Sequence, residues 1–222
     1  MERQPSEVLV ALARLAVAVA ILAAIIATHA EAASRTSVNI FNLYGYFTVQ
    51  SNLIGFVSLT ASAIAVLIRH SDGRALSLVR ALATTCLAIV GIVYATLLAP
   101  LGAAGGVPLP WANVILHIVS PIAVVLDWLL VGDRARLPLT RLWLILLYAA
   151  VWTAVVLVRG ATDGWVPYPF LDPALGYGTV ALYCLAILVA FTGIGLLTLW
   201  ASRTRGVILL QPLGPTPPRP SS

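Results

Sequence analysis

Trp111-Ala-Asn-Val-Ile-Leu-His-Ile-Val-Ser-Pro-Ile-Ala-Val-Val-Leu-Asp-Trp-Leu-Leu-Val131 is an apolar run interrupted by Asn113, His117, Ser120 and Asp127. At helical spacing these four side chains fall within roughly 40° of a common line along one face. About 20 apolar residues suffice to cross the ~30 Å hydrocarbon core of a bilayer. A spanning helix does not turn ionisable groups toward lipid, because each costs several kcal/mol there. The stripe must therefore face other helices, and the chain reads as a membrane bundle with a polar interior.

Working outward, similar apolar stretches cover about 8–28, 44–68, 79–99, 140–158 and 177–200. The chain is 60% hydrophobic and only 9% charged, where a soluble domain carries about 25%. Its mean hydropathy is +0.99. The expected fold class is all-α integral membrane, with six transmembrane helices in one bundle. Residues 1–206 form the transmembrane domain, and residues 207–222 form a Pro-rich disordered tail that includes Gln211-Pro-Leu-Gly-Pro-Thr-Pro-Pro-Arg-Pro220.

The net charge of +5 does not point to nucleic acid. All thirteen basic residues are arginine. Eleven lie near the N-terminus, in the 69–80 and 134–141 loops, or in the tail, whereas Arg35 and Arg159 alone flank the opposite side. This asymmetry predicts both termini in the cytoplasm. The first run also has a second reading, as a signal peptide cleaved near Ala30-Glu31-Ala32. A Lys-free composition rich in Ala, Leu and Arg points to a bacterial cell membrane. The expected partners are the bilayer and a membrane lipid, with no nucleic acid, and no oligomeric state is read from the chain. Cys86 and Cys184 fall at different depths and read as packing residues. No Cys-x-x-Cys or His/Cys cluster marks a metal site, and no cofactor is expected.

Span two opens with Tyr44-Gly-Tyr-Phe-Thr-Val-Gln-Ser-Asn52. Thr48 and Asn52 share a face, while Ser51, Gly55, Ser58 and Ser62 form a stripe of small residues suited to close helix packing. Tyr44, Tyr46, Trp111, Trp165 and Tyr168 gather at one boundary as an aromatic belt. Thr48 and His117 sit about five and six residues into parallel spans. Both side chains are therefore expected roughly 8–10 Å below the outer interface. Pro121 cannot donate to the carbonyl of His117, so span four should loosen at the histidine. Spacing leaves His117 two readings, a base for the Thr48 hydroxyl or a hydrogen-bonded bundle histidine.

Tyr44–Asn52, Leu116-His-Ile-Val-Ser-Pro121 and Gly164-Trp-Val-Pro-Tyr-Pro-Phe-Leu-Asp172 together resemble the androgen-induced / androgen-dependent membrane protein family and its bacterial six-span relatives. These are multi-pass hydrolases of fatty acid esters of hydroxy fatty acids. The resemblance implies Thr48 as nucleophile and His117 as base.

Asn52, one turn below Thr48, and Asn113, one turn above His117, are candidates for oxyanion or orienting contacts, with Ser120 and Asp127 supporting on the same face. Asp127 is about 15 Å deeper than His117 and is expected to be neutral or paired. Tyr168, Phe170 and Asp172 are expected to cap the site, stiffened by Pro167 and Pro169. Two other classes stay open: a proton-coupled small-molecule transporter using Asp127 and His117, and a non-catalytic membrane partner protein.

Overall fold

The computed structural model describes residues 5–68 and 72–208. Its six long apolar helices are α1 (Pro5–Arg35), α2 (Phe47–Leu67), α3 (Arg74–Gly102), α4 (Pro110–Leu130), α5 (Leu139–Thr162) and α6 (Tyr177–Ala201). Each is long and apolar enough to cross a membrane. Most of the expected Pro-rich tail, residues 209–222, lies outside the described residues, as do Arg3, Arg69 and Arg219. Residues 207 and 208 were expected in that tail, but Ile208 bridges to the 131–132 backbone: its N–H donates to the Leu130 carbonyl at 2.8 Å and its carbonyl accepts from Gly132 N at 2.9 Å.

Two packed regions share α3. In one, Ala18, Ile21, Ala24 and Ile25 of α1 meet Val49 and Leu59 of α2, Leu87 of α3, and Leu116 and Val124 of α4. The expected small stripe of α2 lies buried here, and a Cβ on Gly55 would come within 2.9 Å of the Leu87 side chain. Without that methyl, α2 and α3 approach closely. The other region is aromatic and aliphatic. Phe47, Trp128, Tyr168, Phe170 and Phe191 pack with residues of α3, α5 and α6. Of α5, only Ile145 and Val156 are buried.

Two prolines shape the end of the bundle that carries Thr48. Neither Pro100 nor Pro121 can close the bond to the carbonyl four residues back. In both places the helix widens just upstream. The Tyr94–Leu98 and Ile115–Val119 segments are π turns, in which Ala99 N bonds to Tyr94 O and Ser120 N to Ile115 O, five residues back. Such single-turn bulges recur at functional sites. The loosening expected at His117 thus takes the form of a wider turn.

The opposite end is ionic. Arg14 bonds Asp127 at 2.7 Å and Asp133 at 2.5 Å, while Arg80 bonds Asp72 at 2.5 Å, Asp127 at 2.6 Å and Asp133 at 2.8 Å. Arg14 and Arg80, counted from the sequence as flanking charges, are instead 2% and 3% exposed. The network ties α1, α3 and α4 to the 72 and 133 loop segments. Beside it, Arg134 lies over the Trp128 ring and donates to the Ala201 carbonyl, capping the end of α6.

Candidate active site

Thr48 is the second residue of α2, so its N–H has no carbonyl one turn back within the helix. His117 lies in the π turn of α4. Their depth below the helix starts differs, one residue for Thr48 and seven for His117, yet the side chains meet. Contact at 3.3 Å places the two side chains at one level of the bundle, although α2 starts at Phe47 rather than near 44. Chain segments around 40–46 and 165–171 cover that end.

The Thr48 Oγ1 lies 3.3 Å from His117 Nε2, and both residues are buried. His117 Nδ1 lies 3.2 Å from the Asn113 carbonyl. A carbonyl only accepts, so in the neutral ring the proton sits on Nδ1 and Nε2 is bare. The Thr48 hydroxyl therefore donates to Nε2. The ring is further held by Tyr94, which stacks on it at 4.4 Å between centroids and 21° between planes. Asn113 fixes Tyr94 in turn, donating to its hydroxyl at 2.6 Å while accepting from Val107 N at 3.2 Å.

Below the pair, Asn52 joins the two helices. Its amide donates to the Thr48 carbonyl at 2.9 Å and the Leu116 carbonyl at 3.0 Å, and its Oδ1 accepts from Ser120 Oγ at 2.5 Å. Asn52, Asn113 and Ser120 thus have orienting contacts, with both ends of each asparagine amide occupied. Asp127 does not join them. It belongs to the ionic end, because Arg14 and Arg80 compensate its charge there.

Tyr168 does more than cap. Its hydroxyl accepts from Thr48 N at 3.2 Å and lies 3.3 Å from Thr48 Oγ1. Burial pushes this phenol up to about 12, so it stays protonated. Phe170 stacks on Tyr168 at 5.3 Å. Asp172, the third expected cap residue, instead caps the short Pro173–Leu175 turn, accepting from Ala174 N at 2.8 Å. Sequence reasoning missed Tyr94, whose only signal was a lone phenol deep in an apolar span.

Thr48 and Tyr168 form one wall of a chamber of about 750 Å³ lined from α2, α3, α5, α6 and the 168–171 segment. Its lining contains no charged side chain. Tyr177, Leu185 and Leu188 line it and are also exposed, so the chamber opens sideways at α6. Among the described residues, no group of His, Cys, Asp and Glu is arranged to hold a metal. Compared with protein-family models, with curated proteins and with solved structures, the chain finds no match.

Proposed function

We propose that this protein is an intramembrane lipid-ester hydrolase acting through Thr48 and His117. The observation that carries the reading is a threonine hydroxyl donating to a bare imidazole nitrogen at 3.3 Å, on the wall of an uncharged chamber. A threonine hydroxyl is a weak nucleophile until a base takes its proton. His117 Nε2 is in place to accept that proton and return it to the leaving alcohol. The apolar lining suits an acyl chain, and the sideways opening would admit it from lipid without full extraction. In the topology favoured by the arginine asymmetry, both termini are cytoplasmic, in a bacterial cell membrane, and the pair lies in the outer leaflet.

The resemblance to the androgen-induced / androgen-dependent family points the same way, toward fatty acid esters of hydroxy fatty acids. The transporter reading is weaker, because Asp127 is bound by two arginines rather than free to carry a proton. Purified Thr48→Ala and His117→Ala proteins should lose hydrolysis of such esters and of p-nitrophenyl palmitate while melting like the parent. Undiminished turnover in either variant would remove the assigned role.

A further inference from the structure

Thr48 makes three polar contacts that matter for chemistry, and only one is to His117. The second joins its Oγ1 to the Tyr168 hydroxyl, and the third joins its N–H to the same phenol oxygen. Proton bookkeeping fixes their directions. The Thr48 hydroxyl proton is committed to Nε2, so the Oγ1 contact needs its proton from Tyr168. The phenol oxygen thus accepts the Thr48 amide while its own hydrogen points at the nucleophile.

We propose that the Tyr168 hydroxyl, with the Thr48 amide, stabilises the oxyanion formed when Thr48 attacks an ester carbonyl. The assignment rests on Thr48 being the nucleophile. As the Oγ1–carbon bond forms, the hydroxyl proton moves to His117 Nε2 and the carbonyl π pair moves onto its oxygen. That oxygen is two bonds from Oγ1, within reach of a phenol that stood 3.3 Å from Oγ1 beforehand. Substrate displaces the phenol oxygen from the Thr48 amide, and both donors turn to the new anion. The intermediate then collapses. The bond to the alkoxy oxygen breaks, the proton on Nε2 passes to that oxygen, and acyl-Thr48 remains for water to cleave by the same steps. The site lies in the first turn of α2, whose dipole favours negative charge there.

Burial suits the phenol to this task. It remains a donor far above neutral pH, and the Phe170 stack and edge contact with Tyr46 fix its ring. A residue serving only as a cap would need the ring and not the hydroxyl.

Tyr168→Phe separates the two roles, since it keeps the ring and removes one oxygen. With p-nitrophenyl palmitate, kcat should fall about 100-fold with KM little changed. Affinity for a long-chain trifluoromethyl ketone, which adds to the nucleophile to give an oxyanion, should fall in step. Placing 3-fluorotyrosine at 168 restores the hydroxyl. It should recover turnover at neutral pH and lose it at alkaline pH, where the more acidic phenol ionises and no longer donates. That variant also decides the matter if the Phe protein fails to fold. A Tyr168→Phe enzyme within about threefold of the parent kcat, or one altered in KM alone, overturns the proposal and leaves Thr48 untouched. Turnover surviving in Thr48→Ala overturns the nucleophile itself, and the role of Tyr168 with it.

Discussion

The two ends of this bundle each bury a polar network, and the networks are built on opposite electrostatics. At one end, Thr48, His117, Asn52, Asn113, Ser120, Tyr94 and Tyr168 are joined by hydrogen bonds among uncharged groups. At the other, Arg14 and Arg80 are interleaved with Asp72, Asp127 and Asp133. The ionic network is closed: each carboxylate meets arginine, and the groups lie among packed helices. The neutral one is open, with Thr48 and Tyr168 facing a chamber of about 750 Å³. Charge tied up in ion pairs holds elements together but offers no reactive atom. A neutral network next to a cavity keeps a hydroxyl and a bare nitrogen available, without the desolvation cost of ions.

The largest effect that would break this comparison lies at the neutral end. His117→Ala should lower ester turnover by at least about a thousandfold, because base and proton return are lost together. Its melting temperature should stay close to the parent's, since the lost ring leaves no buried ion unpaired. A large fall in stability with full specific activity would make His117 a structural residue like those at the other end.

The converse test is Arg80→Met. It leaves Asp127 and Asp133 with Arg14 and takes the Arg80 ion pair away from Asp72. Breaking a buried ionic network from one side costs about 3–5 kcal/mol. Unfolding in mixed micelles should show that loss, while folded protein retains its turnover. Parent-like stability would show that Arg14, Arg80 and Asp72 are less buried than their 2–4% exposures imply.

Acid gives a smaller, graded version of the same test. Burial alone would raise the Asp133 carboxyl, but Arg80 and Arg14 overcome it and hold the group at about 2, below its ordinary 3.8. A carboxyl depressed on folding contributes stability that is complete above its unfolded value and lost as pH falls through its folded one. About 2 kcal/mol should therefore disappear between roughly pH 4 and pH 2. Asp72 adds nothing to this loss, since burial, helped by the nearby Asp133 charge, raises its carboxyl despite the opposing pull of Arg80. Asp133→Asn should be less stable at neutral pH and lack this acid limb. An unchanged limb would place the acid sensitivity elsewhere.

Much of this was legible in residues taken one at a time. Apolar run lengths gave the six helices, and the i, i+4 rule put Asn113 one turn from His117. Pro121 marked the place where α4 would loosen. What could not be read were contacts between distant elements. Tyr168 was expected in the interfacial belt and as a cap over the site, but nothing local says that a phenol 120 residues away will hydrogen-bond to Thr48. Asp127 shares the face of His117 but not its neighbours, since a straight stripe runs past different helices at different depths. Arg14 and Arg80 were counted as flanking charges because hydropathy scores a residue without its partner, and their carboxylates come from loops and another helix.

The smallest expected effect tests how finely the open end is set. Gly91 on α3 faces Pro121, and a Cβ there would lie 3.2 Å from the Pro121 Cβ and 3.8 Å from the His117 carbonyl. Gly91→Ala must therefore push α4 back by a few tenths of an ångström, just below the π turn that carries His117. Mild overpacking of this kind should cost about 1 kcal/mol, the low end of what an added methyl costs in a packed core. The proposed reacting pair is more sensitive, since a misplacement of about 1 Å can cost 100-fold in rate. A fall of several-fold in kcat is expected, read beside the unfolding curve of the same protein. If stability falls and the rate does not, the spacing of α3 and α4 matters to packing alone. If the rate falls further than stability, the glycine sets the Thr48–His117 separation, a role the ionic end does not require of any single residue.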